Sequence, residues 1–210
     1  MKKIGMVAFI VILLLISGCV DKAESPITDF EYSIYINEIV IVKYLGTATD
    51  IIIPSKVEEL PVTIIGYEAF MNNQLTSVVI PDSVESIRDR AFCGNQLTSV
   101  VIPNSVTDLG TGAFNDNQLT KVVISNSLYS IDQGVFGGNQ LTSVVIPNTV
   151  VEIGKGAFIN NQLTKVKISD SVTEISESAF GSNQLTKVTI SNNCEIQDNS
   201  FDPEVKIIRK

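Results

Sequence analysis

A unit of 22 residues repeats along most of the chain, and this repeat limits what the chain can fold into. It occurs in five full copies and a shortened sixth, which begin at Leu75, Leu97, Leu119, Leu141, Leu163 and Leu185. Each copy reads approximately L-T-[SK]-V-x-I-[PS]-[ND]-S-V-x-x-I-x-x-x-A-F-x-x-N-Q. Burial of its apolar side chains contributes about 12 to 14 kcal/mol, whereas ordering the unit costs about 30 kcal/mol. The repeat therefore predicts coils that are stable only when stacked into a solenoid.

The apolar positions within one copy predict the path of the coil. In the first copy they are Leu75, Val78, Ile80, Val84, Ile87, Ala91 and Phe92. The segment L-x-x-V-x-I has the spacing of a short strand, and V-x-x-I predicts a second extended stretch on the opposite side of the coil. Residues 81–83 are expected to turn the corner between them. Residues 90–92 are expected to close the coil with a helical or 3₁₀ turn.

The segments that flank the repeats are predicted to cover the ends of the stack, because a bare end exposes core and strand edges. Alternating apolar residues from Thr28 to Tyr44 indicate two strands around a turn at Asn37-Glu38. Residues 49–74 read as a divergent first coil, with about five extra residues near 56–61 that we expect on a rim loop. The predicted organisation is an N-terminal β cap at 28–47, repeats at 48–201 and a C-terminal cap strand at 202–210.

The start of the chain has the three parts of a secretion signal. Lys2 and Lys3 precede an apolar run over 4–16, which is shorter than the roughly 20 residues that span a bilayer. The run ends in Ile16-Ser17-Gly18-Cys19, which resembles the lipobox of bacterial lipoproteins, whose cysteine receives a diacylglycerol. This resemblance implies a signal peptide at 1–18, lipidation of Cys19 and a short tether at 19–27. It also implies an extracytoplasmic protein anchored by lipid to the bacterial membrane or cell surface.

The repeat also carries a family resemblance. The motif V-T-x-[IL]-G-x-x-A-F is clearest at 106–114 and 150–158, and L-T-x-V-x-I-P follows it. These motifs resemble the BspA-like, or Treponema pallidum-type, leucine-rich repeats over about residues 30–205. The resemblance implies a strand-dominated α/β leucine-rich-repeat solenoid of about seven coils with parallel strands. Family members are mostly bacterial surface or secreted proteins, and several act as adhesins. Here Ser125, Ser169 and Ser191 replace the usual proline, and Asn-Gln stands where the family often has cysteine.

Composition argues against several classes of function. The chain has 15 basic and 23 acidic residues and no histidine, which argues against nucleic acid and against imidazole chemistry. We predict no catalytic, cofactor or metal site and no enzyme activity. A calcium site among Asp198, Asn199, Asp202 and Glu204 is the weaker alternative to a polar cap. Cys93 and Cys194 lie about four and a half coils apart. At roughly 4.8 Å per coil they are separated by roughly 20 Å, which is too far for a disulfide.

Three columns of identical residues are expected to be structural. The asparagine column should bond the backbone of the tight turns, and the neighbouring glutamine column should do similar work. The phenylalanine column should fill the core, as should Cys194. The carboxylates in the half of the coil away from the front strand are expected to face solvent.

The outward side of the front strands is the candidate binding surface, because substitutions there do not disturb the core. Threonines such as Thr98 form one column, and serines and lysines form the next. A third column is apolar for four coils and then becomes basic, as expected of a surface that binds protein. The alternative is that valine simply favours strands in duplicated copies. The predicted face contains Thr98, Val79, Val101, Val123, Val145, Lys121, Lys165, Lys167 and Lys187.

The leading functional prediction is a lipid-anchored surface protein that binds a protein partner, with adhesion to host matrix or other cells as its role. A polysaccharide-binding module with threonine and serine rows is one alternative, although exposed aromatics for sugar stacking are missing from those rows. An envelope scaffold that contacts the cell's own proteins is another. The sequence predicts neither the ligand nor the oligomeric state.

Overall fold

The computed structural model describes residues 23–210. The predicted signal peptide and Cys19 lie outside the described residues. Between residues 23 and 210, no helix is long and apolar enough to cross a membrane.

An antiparallel hairpin begins the fold and closes its N-terminal end. Its strands are β1 (Phe30–Tyr35) and β2 (Glu38–Tyr44). The turn lies at Ile36-Asn37, one residue earlier than the sequence indicates, and Ile36 adopts a φ of 48°. β2 continues in parallel into the first coil, where it pairs with β5 (Leu60–Ile65). The predicted β cap is therefore part of the same sheet as the coils behind it.

Eight front strands follow one another along the solenoid, one per coil. They are β3 (Asp50–Ile52), β6 (Ser77–Val79), β8 (Ser99–Val101), β10 (Lys121–Val123), β12 (Ser143–Val145), β14 (Lys165–Lys167), β16 (Lys187–Ile190) and β18 (Lys206–Arg209). Their ladders are parallel and join the strands in pairs: β3 with β6, β8 with β10, β12 with β14 and β16 with β18. Among these described strands, no ladder bridges one pair to the next, so the front surface has gaps.

Shorter back strands lie on the opposite side of each coil. After β5 they are β7 (Ser86–Ile87), β9 (Asp108–Leu109), β11 (Ser130–Ile131), β13 (Glu152–Ile153), β15 (Glu174–Ile175) and β17 (Glu195–Ile196). They pair in parallel, in one group from β5 to β9, which continues the sheet of the cap, and in a second from β11 to β17. The front strand at L-x-x-V-x-I and the back strand at V-x-x-I are both confirmed. The strand-dominated parallel solenoid is confirmed as well, and it has about eight turns of about 22 residues where the sequence predicts about seven.

Stacked phenylalanine rings fill the interior beside the turns. Phe92 and Phe114 lie 5.1 Å apart between ring centroids with nearly parallel planes, and the column runs from Phe70 to Phe201 with separations of 4.9 to 6.0 Å. Tyr44 extends the column into the N-terminal cap. Each of the six phenylalanines from Phe70 to Phe180 is fully buried. The prediction that this column is core is confirmed.

The side of the coil that follows the back strand is a pair of tight turns. The Ala91 and Cys93 N–H groups donate to the Arg88 and Arg90 carbonyls at 3.2 and 3.0 Å. The expected closure at 90–92 therefore consists of single i→i−3 turns, and neither an α-helix nor a 3₁₀ helix forms there. The N–H groups of Arg90, Phe92 and Gly94 donate to carbonyl oxygens of the next coil at 2.8 to 3.0 Å. These donors are therefore unavailable for helical i→i−4 bonds. Arg90 also adopts a φ of 55°, which lies outside the helical region. The turn side thus forms an inter-coil ladder of its own.

The asparagine column bonds the backbone as predicted. The Asn95 side-chain amide donates to the carbonyls of Phe70 at 2.7 Å and Phe92 at 3.0 Å. Its carbonyl oxygen accepts from the N–H of Leu75 at 2.9 Å. The same pattern recurs at Asn117, Asn139, Asn161 and Asn183. The glutamine column behaves differently: its side chains are exposed, and only backbone N–H groups such as that of Gln96 bond the previous coil.

The first coil differs from expectation at its extra residues. Instead of a rim loop, they form a hairpin in which β4 (Lys56–Val57) pairs antiparallel with the start of β5. Glu58 and Glu59 both have positive φ, of 51° and 64°, as a two-residue hairpin turn requires. The end of the predicted tether is also ordered here, because Ser25 donates its N–H to the Ile52 carbonyl at 2.9 Å.

The C-terminal end is closed by β18 and by Asp202. The Asp202 carboxylate accepts the N–H groups of Ser182 at 2.7 Å and Asn183 at 2.9 Å. The Asp202 side chain therefore stabilises the turn of the previous coil. Glu195 pairs with Glu174, 21 residues earlier rather than 22, as the missing residue of the last copy predicts.

Candidate partner-binding face

The front strands present alternate residues to the outside. In β8 the middle residue Val100 is 3% exposed and faces the core, whereas Ser99 and Val101 face outward. The predicted valine column is indeed on the surface, with exposures of 49%, 62%, 44% and 61% for Val79, Val101, Val123 and Val145. We call these four residues the valine stripe. Their sequence neighbours Val78, Val100 and Val144 are buried, so the stripe belongs to the outer side of the strands.

The predicted lysines are exposed on the same face. Lys121 and Lys165 lie in the serine and lysine column, and Lys167 replaces valine opposite Val145. Lys187 lies one coil further on and is paired in register with Lys206 of β18. The structure thus adds Lys206 to the column. This residue could not be assigned from the sequence, because the repeat pattern is lost after the shortened last copy. The register of β16 and β18 also places Ile208 next to Thr189 on the outer side.

The threonine column is only partly free for binding. The hydroxyls of Thr120 and Thr164 donate to the carbonyls of Thr98 and Thr142 at 3.2 and 3.3 Å. These bonds join the strands that are already paired by ladders. Thr98 itself is exposed, and its carbonyl also accepts the Thr120 N–H at 2.9 Å. The column therefore supports the pairing of coils as well as lining the face.

Two open grooves cross the face at gaps between strand pairs. The groove between β10 and β12 has a volume of about 380 Å³ and is lined by Thr120, Lys121, Val123 and Val145 among others. The groove between β14 and β16 has a volume of about 430 Å³. It is lined by Lys165, Lys167, Thr186, Lys187, Thr189 and Lys210. The first groove therefore combines two exposed valines with polar side chains, whereas the second contains four lysines.

The back of the same coils has the opposite charge. Glu152, Glu174 and Glu195 stack in register on β13, β15 and β17. The Glu174 carboxylate accepts a bond from the Gln197 side-chain amide at 2.7 Å. In the N-terminal coils the corresponding column is Ser86 and Asp108, joined by a hydrogen bond of 2.8 Å. The solenoid is therefore electrically polarised across its C-terminal half.

Other sequence candidates do not assemble into a chemical site. Between residues 23 and 210, no group of three or more acidic or cysteine side chains could hold a metal ion. The Asp202 carboxylate is already bonded to backbone N–H groups, which favours the polar cap over the calcium site. Burial raises the pKa of the Cys93 thiol, and the nearby Asp116 carboxylate raises it further. Cys93 and Cys194 are both free cysteines, and Cys194 is buried as predicted.

Parallel front strands, stacked 22-residue coils and an exposed strand face define a strand-dominated leucine-rich-repeat solenoid. A family model for the BspA-type leucine-rich repeat region matches residues 63–186 and 110–208, with six copies. The chain belongs to this BspA-type leucine-rich-repeat family. It is a family of repeat proteins rather than of enzymes, and its architecture suggests a scaffold for protein interaction.

Solved structures share the fold. The leucine-rich-repeat protein of T. pallidum is 23% identical, with 89% of this chain and 86% of that chain covered and a TM-score of 0.55. A leucine-rich-repeat protein from Bacteroides ovatus is 17% identical, with 90% and 67% covered and a TM-score of 0.52. No curated protein matches the chain significantly.

Proposed function

We propose that the chain is a lipid-anchored protein of the bacterial surface that binds a protein partner through its front face, with adhesion as its role. The observation that carries this proposal is the valine stripe, in which four valines on successive coils are 44% to 62% exposed. An apolar stripe bordered by polar columns is the composition of a protein-binding patch. Affinity would come from burial of these side chains.

The same face argues against a sugar-binding module. Exposed tyrosines are Tyr35 in the cap, Tyr67 in the first coil and Tyr129 beside a back strand. The outward columns of the described front strands contain no aromatic residue. Stacking of sugar rings on aromatic side chains is therefore not offered where the stripe and grooves lie.

The anchor at Cys19 is part of the proposal and has a geometric consequence. Glu24 and Ser25 bond residues of the first coil, including Ser55 and Ile52. Only residues 20–23 then separate the lipidated cysteine from the solenoid, and four residues reach at most roughly 14 Å. The N-terminal cap would therefore sit close to the membrane. Incorporation of labelled fatty acid should occur in the native chain and disappear in Cys19→Ala; incorporation that persists would refute the anchor.

A solid-phase screen tests partner binding. The mature chain from residue 19 onward, carrying Cys19→Ser, is presented to host matrix proteins, wall glycans and a lysate of its own envelope. The double variant Val101→Lys/Val123→Lys runs alongside. A matched control is Thr107→Lys/Thr173→Lys, which adds the same charge at exposed positions of the back side.

The proposal predicts a protein ligand that is lost in the front variant and kept in the control. Binding of a matrix protein would support adhesion, and a retained envelope protein would instead identify a scaffold of the cell's own surface. Binding that survives Val101→Lys/Val123→Lys would contradict the role of the stripe.

A further inference from the structure

The front face ends in a cluster of lysines, which we call the lysine patch: Lys165, Lys167, Lys187, Lys206 and Lys210. We propose that the partner is a protein segment that presents a carboxylate to this patch and an apolar side chain to the valine stripe about 10 Å away. This inference rests on the proposed function and adds the chemistry and orientation of the partner. The partner's acidic end would lie at the C-terminal end of the solenoid.

The segregation of charge is the first support. The whole chain has a net charge of −8, yet five of its 15 basic residues lie in this one patch. The only ion pair of a patch lysine within residues 23–210 joins Lys210 to Asp170 at 2.7 Å. An acidic partner would be attracted most strongly to this patch, because the net negative charge of the chain repels it elsewhere. Such complementarity fixes the orientation of a complex and raises its rate of association.

The lysines are also unfavourable for the fold itself. Lys187 lies directly opposite Lys206 in the parallel ladder, and like charges in that arrangement are destabilising. Other copies place serine in this column, at Ser77, Ser99 and Ser143, so the coil does not need lysine there. Protection of an open sheet edge accounts for lysines on the terminal strand β18. It does not account for Lys165, Lys167 and Lys187, because β14 and β16 have a further front strand stacked on each side and present no open end of the solenoid.

The two grooves place complementary chemistry at a fixed separation. The β14–β16 groove has ammonium groups together with the exposed side chains of Thr186 and Thr189 at its rim, which suit a carboxylate. The β10–β12 groove has Val123 and Val145, which suit an apolar side chain. The grooves are two coils apart, or roughly 10 Å. An extended segment spans that distance in about three residues.

The back of these coils would reject the same segment. Glu152, Glu174 and Glu195 face outward there at the rung spacing of the lysine column. A carboxylate that is attracted by the front is therefore repelled by the back. Repulsion of this kind gives specificity for one face.

Selection from a random peptide library tests the inference. The mature chain with Cys19→Ser is used as bait, in parallel with Lys165→Glu/Lys167→Glu/Lys187→Glu and with Val101→Lys/Val123→Lys. A control bait, Lys43→Glu/Lys56→Glu/Arg88→Glu, changes net charge by the same amount away from the front face. Peptides from the wild-type bait should contain Asp or Glu two to four residues from an aliphatic or aromatic residue.

The charge-reversed bait should instead select Lys or Arg at that offset, and the control bait should select acidic peptides like the wild type. Peptides that depend on the valine stripe without any acidic preference would overturn the inference and leave the proposed function standing. Failure to select any stripe-dependent peptide would overturn both. Patch-dependent binding of heparin or anionic vesicles without acidic peptides would identify a non-protein polyanion and also refute the inference.

Discussion

Positive φ recurs at two positions of the coil, the first in seven coils and the second in six, and the residues found there explain how the chain turns back toward the next front strand. The first column contains Glu68, Arg90, Gly112, Gly134, Gly156, Ser178 and Asn199, and the second contains Asn72, Gly94, Asp116, Gly138, Asn160 and Ser182. Glycine, asparagine and aspartate tolerate this conformation best. The two columns let the chain turn sharply while its N–H groups still reach the next coil.

Gly134→Ala should destabilise the protein by about 1 kcal/mol, the cost of the left-handed conformation for an L side chain. A Cβ at Gly134 meets nothing within 4 Å, so its φ of 65° is the whole cause. Gly181→Ala is the control, since its Cβ makes ordinary contacts and its φ is not positive. It should be neutral or stabilising by up to about 1 kcal/mol. Urea unfolding measures both, and equal effects would refute the explanation.

Asn117→Ala should cost about 3 kcal/mol. Its side chain accepts from the buried Leu97 N–H at 3.1 Å and donates to the carbonyls of Phe92 and Phe114. Removing it leaves these buried backbone groups unpaired. Gln118→Ala should change the free energy of unfolding by less than about 0.5 kcal/mol, because that side chain is exposed. Similar losses at both positions would contradict the structural role of the asparagine column.

At the scale of elements, the phenylalanine column packs without interruption from coil to coil. The Phe136 ring lies 6.0 Å from Phe114 and 5.4 Å from Phe158 and is fully buried. Phe136→Ala should therefore cost about 3 to 5 kcal/mol through lost burial and a cavity. Phe136→Leu should cost less than Phe136→Ala, because leucine refills part of that volume. Denaturant titration separates the two, and a small loss for Phe136→Ala would mean that the coils close around the gap.

The strands could be predicted because their apolar positions repeat, as at Val100 in β8 and Ile102 directly after it. The conformation of the turn side is harder to predict, because only the glycines at 112, 134 and 156 mark its position with positive φ and other coils have Glu68, Arg90 and Ser178 there. The hairpin at Glu58-Glu59 has no sequence signal, since glutamate is not a usual residue in such turns. The breaks between strand pairs are equally hidden, because coils on either side of a break have nearly the same sequence.

The candidate face was largely predictable for the same reason. Val101 and Lys165 could be assigned outward from the alternation within one short strand. Lys206 and Lys210 could not, because the last copy loses the repeat before β18 begins. Their place on the face depends on the pairing of β18 with β16, which is a tertiary contact.

At the scale of the whole molecule, folding and binding use different columns of the same coil. Inward residues and the asparagines connect each coil only to its neighbours, so stability is a sum over coils and their interfaces. Outward residues can vary without this cost, and the change from valine to lysine at Lys167 shows that they have done so. The outward surface of the solenoid can therefore change from coil to coil while the core stays the same.

Thermal unfolding of Val101→Lys/Val123→Lys tests this separation most directly. Both side chains are exposed, at 62% and 44%, so only a modest loss of strand propensity is expected, about 1 kcal/mol in all. For a chain of this size that lowers Tm by about 2 to 4 °C. The account predicts such a small shift, well below that of Phe136→Ala measured under the same conditions. A fall as large as that of Phe136→Ala would show that the valines are core residues and that the front face is assigned to the wrong side of the strands.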